Sequence, residues 1–191
     1  MAAGERRSQL LDVTKQIVGE QGFHAVSIEA VARHAGVSRP IVYGHFDDLD
    51  GLLEAMIERE SARALAQLAA VLPGELAAGE PRAGLLAALR SYLEAVAADP
   101  VTWRLVLMPQ EGAPPVLRDQ IARGRDAVVA TLAEFVGPGL APGRTSPDPE
   151  LTARLISALA DEAARLMLMD PACYPIERLT AQAAWLLEEL R

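Results

Sequence analysis

The chain has 191 residues and a mass of 20.4 kDa, with 51% hydrophobic and 4% aromatic residues, a composition that excludes disorder over the whole length. Its net charge of −8 argues against a nucleic-acid binder held by a diffuse basic surface. The single Cys173 excludes an internal disulfide and a cysteine-based zinc cluster. No apolar run approaches the ~18 residues of a membrane span, and no signal peptide is predicted. We therefore expect a cytoplasmic protein.

The spacing of apolar residues predicts an all-α chain of about nine helices, because β-branched residues never alternate over a useful length. In the first helix, for example, Leu10, Thr14, Ile17 and Val18 share one face. Taken in chain order, the predicted helices cover about 5–21, 28–35, 38–45, 48–72, 82–98, 100–108, 114–136, 149–169 and 176–190.

Local start and stop signals set the first three helices. Gly22 stands where the first helix should end, in the place of a left-handed C-terminal residue. Ser27 is placed to cap the second helix, which ends at Gly36. Ser38 follows two residues later and can cap the third helix, with Pro40 in the first turn, where a missing N–H costs nothing.

The remaining helices divide the chain into two predicted domains. Pro73 and Gly74 are expected to stop the long fourth helix, and the Pro- and Gly-rich segment 137–149 predicts a surface loop. We place an N-terminal three-helix domain at 1–47 and a C-terminal helical bundle at 48–191.

The segment 27–46 carries the most specific pattern in the sequence. Two short amphipathic helices joined by a tight turn at Gly36 are typical of a helix-turn-helix, whose second helix enters the major groove. On that helix Arg39 and Ile41 lie where base edges would be reached, and Tyr43 and His45 can donate to phosphates. The predicted DNA-binding residues are Ser27, Arg33, Ser38, Arg39, Pro40, Ile41, Tyr43 and His45, although Arg33 could equally be a solvated surface charge.

This segment resembles the N-terminal domain of TetR-family transcriptional regulators. The shared pattern is Ser27 opening the second helix, Val-Ala at 31–32, Ala-Gly-Val-Ser at 35–38, and Tyr, His and Phe at 43, 45 and 46. Members often have a hydroxyl or small residue where this chain has Ile41, and a phosphate-contacting Lys where it has Leu49. The resemblance covers about the first 55 residues; the rest matches in length and helical content.

The resemblance implies a homodimeric repressor of a pseudo-palindromic operator, with its two recognition helices about 34 Å apart. A small, mostly apolar effector in the C-terminal bundle would stabilise a conformation in which the fourth helix moves the two recognition helices out of register. Two alternatives stay open: a DNA-binding regulator without a small-molecule ligand, and a helical carrier or enzyme.

Large side chains of the C-terminal bundle are candidates for an effector cavity, since ligands commonly bind between helices. Each of them could equally belong to a filled core. The candidates are Tyr92, Trp103, Leu107, Met108, Val128, Leu132, Leu159 and Glu162, with Glu162 as a polar anchor or a rim residue.

The last two predicted helices carry more apolar width than one core-facing stripe requires, which predicts a four-helix bundle between two subunits, although a monomer core is the alternative. The predicted dimer residues are Leu155, Ile156, Leu166, Ala183, Trp185, Leu186 and Leu187. No catalytic or metal site is predicted and no cofactor is expected, because Cys173 has no neighbouring His and no Gly-rich phosphate loop occurs.

Charge is unevenly distributed along the chain. Residues 1–46 carry five basic and four acidic side chains, a net +1, whereas 47–60 carry −5 and 61–191 carry −4. The predicted DNA-binding end is therefore the least acidic part. Since few phosphates can be neutralised, we expect a shallow salt dependence of DNA binding, about −0.9 per neutralised phosphate.

Overall fold

The computed structural model describes residues 3–77, 80–108, 114–140 and 145–189, and in them all regular secondary structure is helical. This confirms the predicted all-α class. Between the first two α-helices a 3-10 helix covers Phe23–Ala25. The α-helices are α1 Ala3–Gln21, α2 Ile28–Ala35, α3 Arg39–Tyr43, α4 Leu49–Ala77, α5 Pro81–Ala98, α6 Pro100–Leu107, α7 Pro115–Val136, α8 Pro149–Met169 and α9 Ile176–Glu189.

The helices group into two compact units. Residues 1–63 with 101–122 form the N-terminal unit, and residues 64–100 with 123–191 form the C-terminal unit. The predicted boundary at residue 47 lies before the observed one at residue 63, because the first half of α4 packs with the N-terminal helices. Leu52 and Met56 are fully buried in the same core as Leu10.

The core of the N-terminal unit follows from helical spacing. On α1 the predicted apolar face is buried, including Leu10, Thr14 and Ile17, and the Thr14 hydroxyl donates to the Leu10 carbonyl at 2.8 Å. Val31 and Val42 are fully buried in the same cluster. This packing holds the two short helices, which are too short to be stable alone.

A buried polar network joins three helices of this unit. Lys15 of α1, the only lysine in the sequence, lies 2.9 Å from the Glu60 carboxylate of α4. The Thr102 hydroxyl of α6 donates to the same carboxylate oxygen, Glu60 Oε2, at 2.5 Å, and accepts from Lys15 Nζ at 2.6 Å. Burial alone would raise the pKa of Glu60, which is 2% exposed, but hydrogen bonds from Thr102 and Lys15 and the charges of Lys15 and Arg59 lower it.

The prediction that Pro73 and Gly74 end the fourth helix was wrong: α4 continues to Ala77. A proline in a helix removes one backbone hydrogen bond and does not oblige the chain to leave the helix, if packing compensates. Leu76, in the last turn of α4, is buried in the core of the C-terminal unit, and this burial stabilises the turn beyond the proline.

The C-terminal unit has its own apolar core and its own buried polar contact. Leu85, Leu132 and Val136 are among the buried residues of that core. The Tyr92 hydroxyl donates to Asp161 at 3.1 Å, and burial, followed by the nearby Asp161 charge, raises the pKa of Tyr92 well above its usual 10.0.

The other predicted helix boundaries agree within two residues, the third helix being the shorter Arg39–Tyr43. Residue 190 of the last predicted helix and residues 141–144 of the predicted surface loop lie outside the described residues. Among the described residues, no helix combines the length and apolar character needed to span a membrane.

Candidate nucleic-acid interface

Two backbone features set the turn between α2 and α3. The Ser27 hydroxyl accepts a hydrogen bond from the Ala30 N–H at 3.1 Å, so the predicted cap of α2 is confirmed. Gly36 has a φ of 66° in the left-handed region, which glycine adopts without the steric cost of a side chain. The Val37 N–H then bonds the Ala32 carbonyl at 2.9 Å, which closes the turn.

The short helix α3 presents large side chains to solvent. Only Val42 of its five residues is buried, whereas Ile41 is 40% and Tyr43 53% exposed. Phe46, just after the helix, is buried with Val42. A helix that buries one valine and exposes its larger apolar residues is typical of a contact surface.

The start of α3 differs from the prediction. Ser38 occupies the position before the helix, but its side chain makes no capping hydrogen bond. Its backbone carbonyl still accepts from the Ile41 N–H at 3.0 Å, and Pro40 stands in the first turn as predicted. The Ser38 hydroxyl is therefore left exposed beside Arg39 and is not used in forming the helix.

The structure places the other predicted DNA-binding residues around this helix. Arg33 is exposed in the last turn of α2, and Pro40 is exposed in α3. His45 is half-buried, with its ring 6.5 Å from the Phe46 ring. Arg7 of α1 lies over the same Phe46 ring at 5.0 Å, a cation–π contact that joins α1 to the residues after α3.

The sequence analysis missed Glu29, which pairs with a predicted DNA-binding residue. Arg39 Nη1 donates to Glu29 Oε1 at 2.7 Å, and the side chains are 62% and 58% exposed. The hydrogen bond from Arg39 lowers the pKa of Glu29, and the same bond raises the pKa of Arg39. The residues are ten positions apart and on different helices, so no helical spacing rule signals the pair.

The predicted effector residues are divided between the two units. Trp103 and Leu107 are buried in the N-terminal unit, and Met108 is half-buried there. In the C-terminal unit Tyr92 and Leu132 are buried and Val128 is half-buried, so they stay pocket candidates. Leu159, 65% exposed, lies outside the core, and Glu162 is exposed and paired with Arg165 at 3.0 Å.

A surface groove on the C-terminal unit lies between α5 and α9 and has a volume of about 520 Å³. Among the described residues, its lining includes none of the predicted effector residues. It contains an exposed ion pair, Arg90 with Glu177, at 3.8 Å. The lining residues are Leu86, Ala87, Arg90, Glu177, Thr180 and Ala181.

Three of the seven predicted dimer residues are exposed and four are half-buried. Leu155, Trp185 and Leu186 are exposed large apolar side chains. Ile156 packs partly against the core of its own unit. The other three, Leu166, Ala183 and Leu187, are half-buried.

Two other kinds of site to consider in the described residues are a metal site and a reactive cysteine. No group of three or more His, Cys, Asp or Glu side chains in this part of the chain could hold a metal ion. Cys173 is exposed, and its carbonyl accepts from Arg178 at 2.6 Å.

Comparison with known proteins matches both the motif and the fold. Residues 10–56 match the family model of bacterial regulatory proteins of the tetR family. A TetR-family transcriptional regulator from Pectobacterium atrosepticum is 25% identical, with a TM-score of 0.62 over 98% of this chain and 93% of that one. A TetR-like transcriptional regulator from Rhodococcus sp. RHA1 is 23% identical, with a TM-score of 0.73 over 95% and 93%. FadR from Bacillus subtilis, solved in complex with stearoyl-CoA, is 17% identical, with a TM-score of 0.71 over 94% and 96%.

The matched segment contains α2, α3 and the buried start of α4. It therefore includes the exposed side chains of α3 and the helices that pack behind them. TetR-family regulators are DNA-binding transcription factors and not enzymes, which removes the enzyme alternative. Residues 10–56 therefore form an N-terminal domain of the TetR type, and its helix-turn-helix is the DNA-binding part.

Proposed function

We propose that the protein is a ligand-responsive repressor that binds a palindromic operator as a homodimer and is released by a small, mostly apolar effector. The observation that carries the DNA-binding part is the exposure of α3. Arg39, Ile41 and Tyr43 face solvent on one short helix whose remaining contacts with the core depend on Val42. Such a helix fits the major groove without disturbing the core behind it.

The chemistry of α3 indicates what it would read. Arg39 offers the planar donor fork that suits guanine, and the apolar end of Ile41 suits a thymine methyl group. Tyr43 carries a hydroxyl that can donate to a phosphate and so fix the register of the helix. The operator half-site is therefore expected to contain both a guanine and a thymine that these residues contact.

The proposed homodimer rests on the apolar surface of α8 and α9. Leu151, Leu155 and Leu159 recur every four residues along α8 and are all exposed, so they form one stripe. Trp185 and Leu186 add exposed apolar area on α9. A second copy of the chain would bury both surfaces in a bundle of helices related by a two-fold axis, which matches a palindromic site.

The proposed effector site lies in the C-terminal unit. Buried Tyr92, with the Asp161 carboxylate 3.1 Å away and Arg125 bonded to that carboxylate at 3.0 Å, supplies polar groups among apolar ones. A mostly apolar molecule with a polar end would suit these groups. That a regulator of similar fold binds stearoyl-CoA supports a long apolar effector as the first probe.

Selection of bound sequences from a random DNA pool tests the DNA-binding part. The wild-type protein should recover a two-fold symmetric site, and Tyr43→Ala should recover it weakly or not at all. Arg154→Ala, which removes an exposed cation of α8, serves as a control and should behave like the wild type. Failure of the wild type to recover any symmetric site would contradict the proposal.

Operator release tests the effector part. Stearoyl-CoA and free stearate would be titrated into the operator complex, with coenzyme A alone as a control. A ligand that switches the protein almost completely must favour one state by about 10⁴-fold, or ~5.5 kcal/mol. Operator binding that is unchanged with the acyl probes and with a broader set of apolar molecules would support the alternative, a regulator without a small-molecule ligand.

A further inference from the structure

Glu29 stands in the first turn of α2 and holds the first residue of α3. The 2.7 Å contact between Arg39 Nη1 and Glu29 Oε1 joins two side chains that are both mostly exposed. Exposed ion pairs contribute little to folding stability. What this pair does fix is the position of the guanidinium, because one end of a long and otherwise free side chain is held to a short helix.

The contact occupies only one nitrogen of the guanidinium. Within the described part of the chain, no hydrogen bond reaches Nε or Nη2 of Arg39. The five donors of arginine form a rigid planar fork, and two of them can pair with O6 and N7 of guanine in the major groove. The carboxylate therefore limits rotation of the plane and leaves a donor edge for a base.

The charge of the pair also matters. Because the hydrogen bond from Arg39 lowers the pKa of Glu29, the carboxylate stays ionised at neutral pH and offsets the positive charge of the guanidinium. A neutralised arginine adds little to the attraction for phosphates that all DNA sequences share. Its contribution would then come from hydrogen bonds to one base.

We propose that Glu29 is a positioning residue that orients Arg39 to read a guanine in each operator half-site. This inference rests on the proposed operator-binding function. The pair sets the base preference at one position of each half-site. Because Glu29 neutralises Arg39, the pair adds little to the binding of DNA of arbitrary sequence.

The test compares four proteins: wild type, Glu29→Gln, Arg39→Ala and Glu150→Gln. Each is used to select sites from a random pool, and binding to the selected operator and its single-base variants is then measured by fluorescence anisotropy. Arg39→Ala should reduce the preference for guanine at one position of each half-site by roughly tenfold or more. Glu29→Gln keeps Arg39 but should reduce the preference at that same position by at least about threefold.

A second measurement separates positioning from a simple change of charge. Glu29→Gln exposes the full charge of Arg39, so binding to DNA lacking the operator should strengthen and its salt dependence should steepen by about 0.9. Glu150→Gln is the matched control, since it removes the same charge from another exposed pair, Glu150 with Arg154 at 3.0 Å, in α8. It should leave both the base preference and the salt dependence as in the wild type.

Each outcome separates the two claims. A symmetric site whose base preferences are identical for wild type and Glu29→Gln would overturn the inference and leave the operator-binding function intact. The same holds if the guanine preference is lost with Arg39→Ala but Glu29→Gln behaves like Glu150→Gln. If the wild type selects no symmetric site, both the inference and the proposed function fail.

Discussion

Helices α2 and α9 are both amphipathic, yet they differ completely in burial. Five of the eight residues of α2 are buried, whereas none of the fourteen described residues of α9 is buried. The apolar face of α2 is covered by other helices of the N-terminal unit, such as α1. The comparison shows that the N-terminal unit buries the apolar face of α2 within one chain, while α9 packs only partly against α5 and leaves Trp185 and Leu186 exposed, which supports the proposed dimer.

The largest expected effect is on the free energy of unfolding, for a substitution in the buried face of α2. Ile28→Ala removes a buried side chain from α2 and should lower the free energy of unfolding by about 3 kcal/mol, since the cavity adds to the lost transfer energy. Leu186→Ala in α9 is the matched control, and under conditions that keep the protein monomeric it should change that free energy by less than about 0.5 kcal/mol. Urea denaturation measures both. Equal losses in the two variants would contradict the comparison.

The exposed side of the comparison predicts an effect on assembly. Leu155→Glu places a charge on the exposed stripe of α8 and should weaken dimerisation by about 100-fold, roughly 2.7 kcal/mol, because the carboxylate would be desolvated at the interface. Sedimentation at several concentrations measures the dissociation constant. Ala127→Glu, which adds the same charge to an exposed position of α7, is the control. A Leu155→Glu protein that dimerises as strongly as wild type would remove this surface from the proposed interface.

The network around Glu60 predicts how acid affects the N-terminal unit. Because the pKa of Glu60 is lowered in the folded protein, its contribution to stability is present above the ordinary value of 4.5 and is lost as the pH falls through the folded-state pKa. Glu60→Gln should therefore reduce the loss of stability between about pH 5 and pH 3. Denaturation midpoints measured across this range, with Glu58→Gln as the control for one missing carboxylate, test it. Equal pH dependence in wild type and Glu60→Gln would contradict this prediction.

The smallest expected effect compares the two serines of the helix-turn-helix. Ser27→Ala removes the cap bond to the Ala30 N–H and should lower the free energy of unfolding by about 1 kcal/mol. Ser38→Ala removes no capping bond and should stay within about 0.5 kcal/mol. Thermal unfolding of the free protein is the measurement. A larger loss for Ser38→Ala than for Ser27→Ala would mean that the assignment of the two caps is wrong.

The helix-turn-helix could be predicted from the sequence because its signals are local. The Ser27 cap and the left-handed Gly36 each depend on neighbours a few residues away. The end of α4 could not be predicted in the same way. Pro73 is a local stop signal, but the burial of Leu76 in the C-terminal core overrides it, and that burial depends on residues far along the chain.

The sequence pattern also did not predict which side of α8 is buried. Its buried positions include the small residues Ala153, Ser157 and Ala164, while Leu155 and Leu159 face solvent. Small residues allow helices to approach closely, so most of α8 packs in its own unit by its small side, and Leu168 in its last turn is the one buried leucine among its described residues. A rule that places leucines inward assigns Leu159 to a pocket, whereas the structure places it on the exposed stripe.

Polar pairs that join distant residues gave no signal in the sequence. Glu29 and Arg39 are ten positions apart, and Thr102 lies forty-two positions from Glu60. A glutamate within a helix is usually predicted to be solvated. Only the fold shows that Lys15 and Thr102 lie beside Glu60.

The location of the only lysine has a practical consequence for labelling and immobilisation. Lys15 is largely buried and paired with Glu60, and every other cationic side chain in the sequence is an arginine. Side-chain reagents that acylate amines, including esters used to attach dyes or to couple proteins to sensor surfaces, would have to open this network to react. A guanidinium does not react with them and stays protonated at any pH at which the protein is handled. Amine acylation would therefore leave the arginines of the DNA-binding face unmodified, and its rate at Lys15 would report how often the network opens.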